Sequence, residues 1–522
     1  MIMENFAPIM FAGLILIMLI GFPVAFSLSA LGLGSGLIAI YMGWFPVSFM
    51  SNLPLNMAGI LSNELLLAIP FFTFMGAILE KCGLAEDMLD SMGQLFGPAR
   101  GGLGYSVIIV GFILGAITGT VAGQVIAMSM ISLPVMIRYG YNLRYATGVL
   151  AASGTITQLV PPSLVLIVMA DQLGRPVGDM YQGAWGPAIL QVMIFAIYTF
   201  LLGLFRPHYV PGVPPEARTL NGWALWAKCL RGIIPSAVLI FLVLGSMGGL
   251  PGMNTAICTP TEAGAMGAVG AFVLAAMHKR LTWPLVKEAS IGTMRITAMV
   301  VFILIGSRVF SLVFQGVEGG KWIEHMLMGL PGGQTGFLIA VNIFIFILAF
   351  FLDFFEIAFI IIPFLAPVAD KMGIDLIWFG VMICVNMQTS FMHPPFGFAL
   401  FYLRGIADTL FKNGSLPRKV ESRDIYLGAI PWVLMQLVLV AVVIAFPQTV
   451  TAFLDKPQVL DLDKAGRELQ QMEGGATPDE PDAAASAADG AASAADGTSS
   501  DDDPMKALQE SIKKDAAGTK KP

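Results

Sequence analysis

A gapless internal repeat limits what this chain can fold into more than any other feature. Residues 134–162 lie over residues 367–395 with six identities in twenty-nine positions, and both copies end in a Pro-Pro pair within apolar sequence, Pro161-Pro162 and Pro394-Pro395. Proline has no amide hydrogen and its ring clashes with the preceding turn, so a proline pair stops a helix. In hydrocarbon the backbone groups freed by such a stop find no water. The interruption therefore survives only where protein buries it or where it lines a watery cavity. Two equivalent interruptions, one in each half, are the pattern of a secondary transporter. Gly140 falls on Gly373 and Leu143 on Leu376, and the polar Thr155 and Thr157 fall on Gln388 and Ser390 just before the prolines.

That the surroundings are hydrocarbon follows from composition. Of 522 residues 56% are hydrophobic and 12% charged, against roughly 25% charged in an average soluble domain. The apolar stretch from Pro8 to Met42 exceeds the core of a cleavable signal and reads as two spans turning near Gly21-Phe22-Pro23, with no leader to lose. Further spans are expected over 65–82, 146–170, 185–205, 233–250, 265–277, 291–314, 378–403 and 426–446. Two runs, 105–137 and 336–369, are long for one crossing, short for two, and polar or charged at the middle. They read as re-entrant hairpins with tips at Thr118-Gly119-Thr120 and at Asp353 to Glu356. The expected fold is an all-α integral membrane body over 1–450, with inverted repeats at roughly 65–205 and 291–447.

Charge supplies the orientation, because cytoplasmic loops carry the excess of Lys and Arg. Placing the basic loops 206–231, 278–280 and 404–423 inside puts the two hairpins on opposite faces and both chain ends in the periplasm. Much of the net charge of −6 comes from the acidic segment beyond the last span. There Ala-Ala-Ser-Ala-Ala-Asp-Gly stands twice, at 484–490 and 491–497. With almost no large apolar side chain to offset ordering entropy, this part of a 451–522 tail is expected to be disordered from about Gly474. Cys82, Cys229, Cys258 and Cys384 lack metal-binding spacing and read as small packing residues.

No phosphate-binding loop and no His-x-x-x-His or Gly-x-Ser-x-Gly arrangement occurs, so neither a nucleotide motor nor an enzyme is expected. An ion gradient then remains as the energy source. Sodium takes hard oxygen ligands, and the interruptions offer them. Candidate cation ligands are the carbonyls near Gly154, Thr155 and Met392, the hydroxyls of Thr118, Thr120, Thr389 and Ser390, and the Asp353 carboxylate. In the repeat Asp353 falls on Thr120, so the two sites would differ by one full charge. The competing readings for Asp353 are a helix N-cap and an ion pair with Arg308, which lies inside an apolar span and needs a partner. That partner could also be an anionic substrate. Candidate substrate contacts are therefore Arg308 with Thr157, Pro161, Pro162, Gln388, Pro394 and Pro395. Glu356 reads as a hairpin residue, and His393 as a hydrogen-bonded cap or a proton carrier. Asn63, Glu64 and Thr259 to Glu262 read as caps.

At these residues the chain resembles the large membrane subunit of tripartite ATP-independent periplasmic (TRAP) transporters, across nearly all of 5–448. The motifs are Leu67-Ala-Ile-Pro-Phe-Phe, Ala152-Ser-Gly-Thr with Pro161-Pro-Ser, Cys258-Thr-Pro-Thr-Glu-Ala, Phe351-Leu-Asp-Phe-Phe-Glu and Pro394-Pro-Phe-Gly. The resemblance implies an elevator movement, sodium as coupling ion with no other cofactor, and uptake of a small carboxylate, typically a C4-dicarboxylate. It also implies a small four-helix membrane subunit, a periplasmic solute-binding protein and the bacterial inner membrane as setting, with no nucleic acid involved. The family's first hairpin tip commonly reads Ser-Gly-Ser-Ser where this chain has Thr118-Gly-Thr-Val, and a threonine usually stands where His393 does. The stretches from Phe351 to Glu356 and from Pro395 to Phe401 resemble a branch associated with 2-oxo acids and monocarboxylates. The alternative reading is a stand-alone ion-coupled anion transporter without a binding protein.

Overall fold

The computed structural model describes residues 6–217, 222–253, 256–350, 352–393 and 397–454. Its first two helices, α1 (Phe6–Ile20) and α2 (Val24–Tyr41), part where expected, at Gly21-Phe22-Pro23. Gly21 holds a φ of 89°, a conformation glycine reaches without steric cost. A 3₁₀ turn and α3 (Asn52–Leu61), which the sequence reading did not foresee, lead through a 46° bend into α4 (Glu64–Lys81). Asn63 caps α4 by accepting from the Leu65 amide.

From α4 the chain runs through a series that it later repeats. An amphipathic helix, α5 (Leu84–Phe96), precedes the hairpin α6 (Gly102–Thr118) and α7 (Val121–Arg138), joined through Gly119 and Thr120. Helix α8 (Leu143–Thr155) then ends in a 3₁₀ turn over Ile156–Gln158, and α9 (Leu164–Leu173) restarts beyond the prolines. The 29-residue α10 (Val177–Phe205) closes the series. After α11 (Trp223–Ser246) and α12 (Pro260–Met277) comes α13 (Trp283–Gly316), then a second amphipathic helix, α14 (Gly319–Met328). The second hairpin is α15 (Gly333–Leu348) with α16 (Phe354–Ile360) and α17 (Ile362–Lys371). Helix α18 (Leu376–Met387) passes into a 3₁₀ turn over Gln388–Met392, followed by α19 (Phe398–Lys412), α20 (Ser422–Ala445) and the short α21 (Gln448–Thr451).

The repeat register holds at fixed backbone features. Gly140 and Gly373 both take left-handed φ, 81° and 73°. Asn142 and Asp375, also equivalent, both cap the following helix through their side chains. The expected runs 146–170 and 378–403 are each two helices separated by a 3₁₀ turn. The return arm of the second hairpin is split at Ile361, because Pro363 has no amide to donate back. Among the described residues there is no strand, and seven helices of 18 or more residues are long and apolar enough to cross a bilayer. All of them belong to one compact unit. The expectations for the tail fall beyond residue 454, outside the described residues.

Glycines let the first hairpin close onto its neighbours. A Cβ at Gly111 of α6 would come within 2.8 Å of the Ser153 Cβ, and one at Gly115 within 3.1 Å of the Thr157 Cα. A Cβ at Gly76 of α4 would overlap the Thr118 carbonyl at the hairpin tip. Gly76→Ala is therefore expected to destabilise the protein by about 1–3 kcal/mol through overpacking. Gly59→Ala in α3, where a Cβ meets nothing within 4 Å, should leave the thermal midpoint unchanged. Equal midpoints for the two variants would contradict the close approach at the tip.

Candidate functional site

The first interruption is built by hydroxyls standing in for missing amides. Thr155 Oγ1 donates to the Ala152 carbonyl at 2.8 Å and Thr157 Oγ1 to the Gly154 carbonyl at 2.8 Å. Ser163 Oγ donates to the Gln158 carbonyl at 2.6 Å and accepts from the Val165 amide at 3.2 Å, so it both closes the break and caps α9. Pro161 and Pro162 are buried between these groups.

Gln124, absent from the sequence-based candidates, ties this break to the hairpin. It is fully buried on α7, and its Nε2 donates to the Gly111 carbonyl of α6 at 2.7 Å and to the Ser153 carbonyl of α8 at 2.9 Å. Its Oε1 lies against the Thr157 hydroxyl, which shares its one hydrogen between this oxygen and the Gly154 carbonyl, and accepts from Thr118 Oγ1 at 3.4 Å. One amide thus gathers Thr118, Ser153 and Thr157 around a joint of three helices. Thr120, half-buried, makes no side-chain capping bond. Thr155 stands apart from this joint and accepts from Gln436 of α20 at 2.8 Å. The one sequence signal for Gln124 was an amide in an otherwise apolar run four residues past the tip.

The second interruption repeats the scheme with different residues. Thr389 Oγ1 donates to the Asn386 carbonyl and Ser390 Oγ to the Met387 carbonyl, both at 2.7 Å. Asn386 Nδ2 donates to the Asn342 carbonyl of α15 at 2.8 Å and to its Oδ1 at 3.1 Å, the amide joint of this half. Gln388 Oε1 accepts from Gln191 Nε2 at 2.6 Å. Met392 is buried, and the buried His393 ring stacks on Phe350 at 4.2 Å and meets Phe346 edge-on at 4.4 Å. Pro394 and Pro395 lie outside the described residues.

At the second hairpin Asp353 is the N-cap of α16, and its amide donates to Glu356 Oε2 at 2.9 Å. Asp353 thus stands at the N-cap position, and Glu356 holds its amide from within the same turn. Asp353 Oδ1 is buried with no hydrogen-bond partner among the described residues. Arg308 is exposed on α13 and makes no ion pair among the described residues, with Asp353 or otherwise. Its neighbour Ser307 instead faces inward and donates to the Phe359 carbonyl of α16. The structure thus brings the two sets of hydroxyls to two interruptions and leaves Arg308 apart from both.

Comparison with known proteins places this arrangement. The family model described as "Tripartite ATP-independent periplasmic transporter, DctM component" matches residues 11–449. The C4-dicarboxylate TRAP transporter large permease protein DctM of Rhodobacter capsulatus is 29% identical over 460 residues, covering 84% of this chain and 97% of that protein. The 2,3-diketo-L-gulonate TRAP transporter large permease protein YiaN of Escherichia coli is 26% identical over 432 residues, covering 83% and 95%. Among solved structures, the crystal structure of the Alcanivorax borkumensis YdaH transporter superposes with a TM-score of 0.52 over 76% of this chain and 88% of that one; at 14% identity the likeness is one of fold alone. On the family match over residues 11–449, the chain belongs to the DctM component of the tripartite ATP-independent periplasmic transporters, a permease subunit and not an enzyme.

Proposed function

We propose that this permease imports a small carboxylate, a dicarboxylate or 2-oxo acid, across the bacterial inner membrane on a sodium gradient. In this reading a periplasmic solute-binding protein delivers the cargo and a small four-helix membrane subunit completes the assembly. The observation that carries the proposal is where unpartnered buried polar atoms gather. Gln158 Oε1, Asp353 Oδ1, Asn386 Oδ1 and Gln388 Nε2, all at or beside the interruptions, lack a hydrogen-bond partner among the described residues. Leaving such groups unmade costs about 1–3 kcal/mol each, and more for a charged one. A bound cargo that supplies the missing contacts offsets this cost.

The oxygens favour a cation. Asp353 adds a full negative charge to a site whose other ligands would be the hydroxyls of Thr389 and Ser390 and the Met392 carbonyl. The first site would be neutral, from Thr118, Thr120, Gly154 and Thr155. The anionic cargo would meet Thr157, Gln388 and the proline stretches, where the restarting helices α9 and α19 present the positive ends of their dipoles. Arg308 enters this scheme only if substrate or a partner reaches the exposed face of α13. Relatives named for C4-dicarboxylates and for 2,3-diketo-L-gulonate support a carboxylate. With the halves inverted in the membrane and both ends periplasmic, an elevator movement would expose the cargo to each side in turn.

Three outcomes test the reading. Asp353→Asn is expected to raise the half-saturating sodium concentration at least about tenfold, in line with about 1.5–3 kcal/mol for a bond to a charged group, at near-normal membrane abundance. Unchanged sodium activation in proteoliposomes would remove Asp353 from the ion site. Uptake is expected only when the four-helix subunit and the binding protein are supplied, whereas transport by this chain alone would favour a stand-alone carrier. Deleting residues 474–522 should leave uptake intact, and loss of uptake at normal abundance would give the tail a role.

A further inference from the structure

The closing helices of the two series carry a second gapless repeat, distinct from the one at the prolines. In α10 the residues Asp179, Tyr181, Gly183, Ala184 and Gln191 recur 245 positions later in α20 as Asp424, Tyr426, Gly428, Ala429 and Gln436. On each helix the glycine, a bulky residue four positions on and the glutamine four beyond that lie on one face: Gly183, Pro187, Gln191 and Gly428, Trp432, Gln436. All six are buried.

What these faces touch is crossed between the halves. Gly428 and Trp432 of α20 lie against α8, so tightly that a Cβ on Gly148 would overlap the Gly428 carbonyl and a Cβ on Gly428 the Arg144 carbonyl. At the end of that seam Gln436 Nε2 donates to Thr155 Oγ1, the last helical residue before the first interruption. Gly183 of α10 lies against α18, its Cβ position 3.2 Å from Ile377 and 3.6 Å from Val381. At the end of that seam Gln191 Nε2 donates to Gln388 Oε1, the first residue of the second interruption. Thr155 and Gln388 occupy the same position in the first repeat, 233 apart. The closing helix of each half thus grips the equivalent point of the other half's broken helix.

Both contacts are wholly buried and incompletely satisfied. Gln191, Gln388, Gln436 and Thr155 are each 0% exposed, and Gln191 Oε1, Gln388 Nε2 and Gln436 Oε1 have no hydrogen-bond partner among the described residues. Turning the amide of Gln191 and that of Gln388 over together exchanges which atoms are left over without removing them. A merely structural clasp would gain more from apolar side chains of the same shape. We propose that Gln191 and Gln436 are a matched pair of positioning residues, each setting the interrupted backbone of the opposite half, so that ion binding at one interruption is felt at the other.

This inference rests on the sodium reading above, and its test separates the two. The full chain, reconstituted with its partner subunits, is assayed for sodium-activated uptake as wild type, Gln191→Leu and Gln436→Leu. Each variant is expected to raise half-saturating sodium about tenfold and to bring the Hill coefficient for sodium down to about one, with the maximal rate changed far less. Sodium-free thermal unfolding of Gln436→Leu, Thr155→Val and the double variant gives the second measurement, in which the losses should be clearly less than additive. Should the leucine variants fail to accumulate, Gln191→Asn and Gln436→Asn, which withdraw the amide by one methylene, carry the same uptake test. Sodium activation unchanged in both variants at normal abundance would overturn the coupling. A wild type indifferent to sodium would overturn the sodium reading instead and leave the brace to the unfolding cycle, where additive losses overturn it.

Discussion

Hydrocarbon offers no hydrogen bond to a backbone group freed from its helix, and the two interruptions of this permease are built around that constraint. Each break is approached by hydroxyl side chains that turn back three residues and take a carbonyl: Ser153 onto Leu150, Thr155 onto Ala152, Thr157 onto Gly154, and in the other half Thr389 onto Asn386 and Ser390 onto Met387. A hydroxyl can donate one bond while keeping lone pairs free. The same atoms that make a broken helix tolerable in lipid therefore present oxygens to whatever enters. On the proposed reading, stability and cargo binding would draw on one set of groups, the hydroxyl residues of the turns before both proline pairs.

Amides then join each break to its hairpin, by different routes. In the first half Gln124 reaches from the outgoing arm to bond carbonyls on both α6 and α8. In the second, Asn386 reaches from the broken helix itself to Asn342 on the incoming arm. The backbone plan is shared while the side chains that enforce it have diverged. Charge has diverged in the same way, since Thr120 and Asp353 hold equivalent N-cap positions and only the second is ionisable.

What could be read in the sequence were features that act locally. The Pro-Pro pairs, Gly21-Phe22-Pro23, the hairpin tips and the capping position at Asn63 announce themselves within a few residues, because a missing amide or a left-handed φ is a property of the chain alone. Pro363 belongs to the same class, since it splits the return arm of the second hairpin by its missing amide. Helix α3 was not foreseen, because Asn52, Pro54 and Asn56 break up the apolar pattern of that stretch. Gln124, Asn342, Gln191 and Gln436 were illegible for another reason. Their partners lie across helices, 197 residues away for Gln191 and 281 for Gln436, and an isolated amide in an apolar run says nothing about where it will bond. For Arg308 the sequence left the partner open between Asp353 and an anionic substrate, and the helix turns the side chain outward with no ion pair among the described residues.

The contacts also bear on which parts can travel together under the proposed elevator movement. Because α10 and α20 each hold the break of the opposite half, neither can stay behind while the interruptions move; they belong with the hairpins. Helices α4 and α13 pack against each other and also meet the hairpins, with Gly76 under the Thr118 carbonyl, Glu80 of α4 against Gly123 of α7 and Ser307 on the Phe359 carbonyl, so any sliding between these helices and the hairpins would have to carry the Glu80 carboxylate past the first hairpin.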